Sequence, residues 1–131
     1  MLSDVQALVF SALLTYVMLL TASLVRARAW TPAGMKIAFG NRHDVPPPTA
    51  LAARADRAAK NMLEGMVLFV TVLVAARFAG ADKDRLALGS TLFFWGRVAY
   101  FGIYLAGIAY LRTVVWGVAI AGVFMIGMAA L

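Results

Sequence analysis

The chain contains no cysteine. That excludes a disulfide, a protein thiolate nucleophile and a thiolate metal site, so any reactive sulfur must arrive with a substrate. Histidine occurs once, at His43, which excludes bis-histidine haem ligation and leaves no basis for a zinc site; no metal is expected, and His43 reads as an ordinary loop residue. Proline is confined to Pro32 and the run Pro46-Pro47-Pro48, so nothing interrupts helices elsewhere. Charge is scarce as well, at 14% of 131 residues against 63% hydrophobic. A soluble domain of this length cannot hide that much apolar surface, so the composition defines an integral membrane protein with a single domain over 1–131.

What the chain does contain is four apolar stretches: Val5 to Val25, Asn61 to Ala76, Leu86 to Leu111 and Thr113 to Leu131. A spanning helix needs about 20 residues. The expected fold is therefore an all-α bundle of four transmembrane helices, at about 3–28, 49–79, 85–109 and 113–131. The second apolar stretch is short and reaches spanning length only if its helix starts near Thr49, a residue placed to act as N-cap after the triple proline. Such a helix would be roughly 46 Å long and would project beyond the bilayer. The first stretch follows Asp4 and ends at Arg26-Ala27-Arg28, the order of an uncleaved anchor rather than a signal peptide. Gly102 with Ala106, and Gly117, Gly122 and Gly127, mark surfaces where helices can approach closely, within or between subunits.

Basic residues collect on one side. Arg26, Arg28, Lys36, Arg42, Arg54, Arg57 and Lys60 flank the first connection, and Arg112 follows the third span on that same side. The other side has Arg77, Lys83 and Arg85, diluted by Asp82 and Asp84. The first loop should face the cytoplasm and both termini should lie opposite. Topology and attraction to anionic lipid headgroups account for the basic excess, and no nucleic-acid partner is expected.

Polar residues inside a membrane are costly and point to function. Arg57, Asn61 and Glu64 recur at helical spacing on one face of the second span, with Lys60 beside them. Glu64 is the only glutamate in the chain. A Lys60–Glu64 ion pair is the plain structural reading, but it leaves Arg54, Arg57 and Asn61 as surplus donors. Arg97, Tyr100 and Tyr104 share a face of the third span. Burying Arg97 unpaired would cost about 2.5–3.5 kcal/mol, and Glu64 is the one carboxylate within the apolar spans that could offset this. The two faces describe an arginine-rich pocket for a small polyanion that also carries an amine.

The pattern Arg57-x-x-Lys60-Asn61-x-x-Glu64, followed by Arg97-x-x-Tyr100-x-x-x-Tyr104 and Arg112, resembles the MAPEG family (membrane-associated proteins in eicosanoid and glutathione metabolism). Gly40-Asn41-Arg42 and Leu111-Arg112-Thr113 with Trp116 are similar to its bacterial branch, related to microsomal glutathione transferases and prostaglandin E synthases. The resemblance implies a homotrimer in a bacterial inner membrane, with glutathione as cosubstrate bound between subunits. Carried over by position, Arg57, Lys60, Asn61, Glu64, Arg97, Tyr100 and Tyr104 would hold glutathione, Arg26 would come from the adjacent subunit, and Arg112 would activate the thiol. The second substrate would be a lipophilic electrophile or hydroperoxide from the bilayer. Gly65 departs from leukotriene-forming members, which have tyrosine there. Two other readings stay open: a non-catalytic bundle that binds glutathione or lipid, and a small multidrug exporter, although exporters place their glutamate in the first span.

Overall fold

The computed structural model describes residues 1–42 and 45–131, so His43 lies outside the described residues. Its helices are α1 (Asp4–Ala27), α2 (Pro32–Phe39), α3 (Ala50–Phe78), α4 (Lys83–Ala106) and α5 (Ala109–Ala130). Four of these, α1, α3, α4 and α5, are long and apolar enough to cross a membrane. Many large apolar side chains stay exposed on their outer faces, among them Val9, Leu13, Val67, Val74 and Phe124. Bilayer lipid, which offers apolar surroundings at no desolvation cost, is the medium those faces require.

The helix ends have chemical causes. Ser3 and Gln6 cap α1 reciprocally: the Gln6 amide donates to Ser3 Oγ at 3.1 Å and the Ser3 amide to Gln6 Oε1 at 3.0 Å. Thr49 caps α3 through the Ala52 amide at 3.1 Å, and Asp82 caps α4 through the Arg85 amide at 3.1 Å. The short helix α2 was not expected from the sequence. Pro32 stands at its first turn, where a missing N–H costs nothing, and Thr31 caps it through the Gly34 amide at 2.9 Å. A proline that looks like a break thus opens a helix.

A second difference concerns the third connection. Hydropathy predicts a third span to about 109 and a fourth from about 113. Instead α4 ends at Ala106, Gly107 turns the chain with φ of 79°, and α5 starts at Ala109. Arg112 therefore belongs to the first turn of α5.

The most extensive packing joins α4 to α5, while α1 lies against α3 and α4. Glycines make the α4–α5 seam possible. A Cβ on Gly122 would fall 2.3 Å from the Gly89 carbonyl oxygen, and one on Gly89 would fall 2.6 Å from the Gly122 carbonyl oxygen. Gly102 and Gly117, by contrast, have open space where a Cβ would stand. The buried core runs through Met18, Ala55, Met62 and Leu73, with Phe69 stacked on Phe93 at a centroid separation of 4.2 Å. At the end away from the basic connection, Arg77 makes a bidentate pair with buried Asp4, at 2.5 and 2.7 Å, tying the start of α1 to the end of α3.

Candidate functional site

The polar residues of α3, α4 and α5 meet at the basic end of the bundle. Arg97 is the largest side chain buried below 2% exposure, at 1%. Its Nε donates to Met62 Sδ at 3.2 Å, and its Cζ lies 4.5 Å from the centre of the Tyr100 ring. Its Nη2 is buried without a hydrogen-bond partner. The aromatic face offsets part of the cost of burial, since a desolvated cation–π contact is worth about 2 kcal/mol. Gly65 faces this guanidinium; a Cβ there would stand 3.7 Å from Arg97 Cζ, in ordinary contact, so the arginine packs close against α3.

Tyr104 packs beside Tyr100 with ring centres 5.3 Å apart. Its hydroxyl accepts a hydrogen bond from Arg57 Nε at 3.0 Å, and Arg112 Cζ stands 4.8 Å over its ring. Two arginines from different helices are thus oriented by one tyrosine. Next to them lies a cavity of about 130 Å³, lined by Asn61, Tyr100, Arg112, Thr113 and Trp116. Asn61 Oδ1 is buried with no partner. An unpaired buried carbonyl costs about 1–3 kcal/mol, and it lines a cavity whose other polar groups include a guanidinium. That arrangement accepts a ligand N–H from one side and offers cationic donors from another.

The nine sequence-derived site residues do not all converge. Arg57, Asn61, Arg97, Tyr100, Tyr104 and Arg112 do. Lys60 and Arg26 line a different cavity, between α1 and α3, and Arg26 donates to the Pro46 carbonyl. Glu64 is exposed on the outer surface of the chain. Two expected ion pairs, Lys60–Glu64 and Glu64–Arg97, are not formed; among the described residues the one ion pair is Asp4–Arg77. Successive residues of a helix are about 100° apart, so Lys60 turns toward α1 while Asn61 turns toward α4 and α5. Met62, Thr113 and Trp116 are additions to the site. Thr113 and Trp116 share the sequence signal of Arg112, a helical spacing at the opening turns of α5. Arg54 was a surplus donor in the sequence; its Nε bonds the Leu105 carbonyl at 3.2 Å and secures the end of α4.

An apolar groove of about 560 Å³ lies farther along the bundle between α3 and α5, lined by Leu68, Val72, Ile120, Phe124 and Met128. It shares no residue with the polar cluster.

Four long apolar helices define a multi-pass membrane protein with a buried arginine–tyrosine cluster toward one end. Comparison with known families matches residues 5–131 to the MAPEG family, and the chain belongs to it. This is a family of membrane glutathione-dependent enzymes. No curated protein matches the chain.

Proposed function

We propose that the protein binds glutathione at the Asn61–Arg112 cavity and activates its thiol for attack on a lipophilic electrophile, or for reduction of a lipophilic hydroperoxide, entering from the bilayer. The observation that carries this reading is the cavity itself: Asn61, whose buried oxygen is an orphan, lines it together with Arg112 and Tyr100, and Tyr100 in turn packs against Arg97, whose Nη2 is also unpartnered. Arg57 and Arg97 supply donors for carboxylates, and Asn61 accepts from the peptide. A free thiol has a pKa of about 8.5. A guanidinium against the sulfur favours the anion; lowering the pKa by about two pH units corresponds to about 2.7 kcal/mol. Arg112 would take that place, with its Cζ 4.8 Å over the Tyr104 ring.

The cavity of about 130 Å³ falls below the roughly 300–1,000 Å³ of ordinary ligand pockets. It accommodates part of a tripeptide. The remainder would lie on the outer surface by Arg57 and Glu64, where a neighbouring subunit of a homotrimer would close over it. Glu64 would then receive the ligand's ammonium, and a neighbour's Arg26 would complete the site. Lys60, turned into the other groove, would contribute only through such an assembly. The basic end of the bundle would face the cytoplasm, where glutathione is plentiful.

Purified protein in detergent should bind glutathione and develop thiolate ultraviolet absorbance. No binding at millimolar glutathione sinks the reading. Arg112→Ala should abolish the thiolate signal and leave most binding intact. If binding disappears while thiolate per bound glutathione is unchanged, Arg112 is a clamp and the activating group lies elsewhere.

A further inference from the structure

The turn between α4 and α5 has an outside support that the glutathione reading does not use. Gly107, with φ of 79°, ends α4. Its amide donates to the Tyr104 carbonyl at 3.0 Å, and the Ile108 amide donates to the Ile103 carbonyl at 3.3 Å. These bonds satisfy two of the last carbonyls of α4, which have no partner inside a helix. The carbonyl of Leu105 comes next, and Arg54 of α3 reaches it through Nε at 3.2 Å. The same guanidinium lies against Gly107: a Cβ there would stand 3.7 Å from both Cζ and Nε of Arg54. A cation in this place also meets the negative end of the helix dipole.

The support matters because α5 lacks a cap of its own. Ser3, Thr49 and Asp82 cap α1, α3 and α4 through their side chains, whereas Ile108, the residue before α5, makes no such bond. The first turn of α5 starts from the Arg112 amide, which donates to the Ile108 carbonyl at 3.3 Å. Arg112 therefore depends on a turn set by Gly107 and by what holds Gly107. Arg54 differs in this from Arg57, about one turn farther along α3. Arg57 is exposed and bonds a side chain, the Tyr104 hydroxyl, a partner that a ligand carboxylate can replace. Arg54 is half-buried and bonds the backbone.

We propose that Arg54 is a positioning residue for Arg112. By holding the α4–α5 turn it sets the first turn of α5, so that the Arg112 guanidinium stands over Tyr104 and lines the cavity with Asn61. When a ligand draws Arg57 away from Tyr104, Arg54 keeps α3 tied to the end of α4. What Arg112 does in the cavity rests on the glutathione reading; that Arg54 places it there does not.

The test compares the wild type with Arg54→Gln, Arg54→Lys and Gly107→Ala in detergent. Without glutathione, amide hydrogen exchange over residues 104–113 should rise about tenfold in Arg54→Gln, the scale of one lost charged hydrogen bond. Exchange in α1 should keep the wild-type rate. Arg54→Lys, which can still donate to the Leu105 carbonyl, should restore most of the protection. With glutathione bound, the midpoint of the pH titration of thiolate absorbance should rise by about one pH unit in Arg54→Gln, with affinity within about threefold of the wild type. Gly107→Ala keeps every charge and disturbs the same turn, because alanine is strained at positive φ, so its midpoint should rise too.

Wild-type exchange over 104–113 in Arg54→Gln overturns the proposal, as does a rise spread evenly over all the helices, which would make Arg54 a general stabiliser. Loss of affinity with an unchanged midpoint would make Arg54 a ligand. A wild-type midpoint in Gly107→Ala beside a raised one in Arg54→Gln would mean that Arg54 acts through its charge alone. Either result also overturns it. If the wild type binds no glutathione, the glutathione reading fails, and the exchange comparison, which uses none, still decides whether Arg54 holds the turn.

Discussion

Asn61 carries opposite consequences for stability and for binding. In the chain alone its Oδ1 is buried and unpartnered, a destabilising arrangement. Asn61→Leu keeps the shape and removes the orphan, so the thermal midpoint in detergent should rise, by the equivalent of about 1 kcal/mol. Glutathione affinity should fall by about 2 kcal/mol, roughly thirtyfold, with the loss of an acceptor for the ligand. Binding isotherms and thermal scans on one preparation check both signs, and a variant that loses stability and keeps affinity contradicts the role given to Asn61. At this scale the sequence was partly legible. Helical spacing put Arg57 and Asn61 on one face and Arg97, Tyr100 and Tyr104 on another, and these do meet through the Arg57–Tyr104 bond. It could not say what lies across from each face. Lys60 lines the α1–α3 cavity and Glu64 is exposed, which a helical wheel does not tell, since it orders residues about one axis and does not locate the neighbouring helices.

Among the elements, the α4–α5 hairpin decides where Arg112 stands. Apolar character is nearly continuous from Leu86 to Leu111, so hydropathy gave no sign of a break at Gly107. The break is conformational, a positive φ that glycine adopts without strain. The small-residue pattern was likewise visible without its partners. Gly122 proves to lie against Gly89, while Gly102 has open space. Two substitutions of identical size should therefore differ in sign. Gly122→Ala forces a methyl to 2.3 Å from a backbone oxygen and should destabilise by about 1–3 kcal/mol. It should also lower thiolate formation, since the seam positions α5 and with it Arg112. Gly102→Ala meets nothing and removes a flexible residue from a helix, so it should be neutral or stabilise by up to about 1 kcal/mol. Thermal midpoints of the two variants, read beside thiolate absorbance, test the pairing; equal losses would mean that Gly102 packs against another subunit.

The whole molecule is polarised. Arg26, Arg54, Arg57, Lys60 and Arg112 crowd the end where α1 finishes and α3 and α5 begin, and the Asp4–Arg77 pair sits at the other. The same asymmetry serves two purposes in the proposed reading. It would orient the chain by holding the basic connection on the cytoplasmic side, and it would open the Asn61–Arg112 cavity toward the compartment that supplies glutathione. Orientation and activity would then be coupled: an inverted chain would keep its fold and lose its cosubstrate. The absence of cysteine makes the orientation directly measurable, because any thiol introduced is the only one present. Lys36→Cys in α2 and Lys83→Cys at the start of α4 stand at opposite ends of the bundle. In intact cells, a membrane-impermeant maleimide should label the Lys83→Cys variant and spare Lys36→Cys until the membrane is broken. The reverse pattern would place the candidate site on the outer face and deprive it of cytoplasmic glutathione. Labelling of both variants in intact cells would indicate mixed insertion, and only the correctly inserted fraction would then form thiolate.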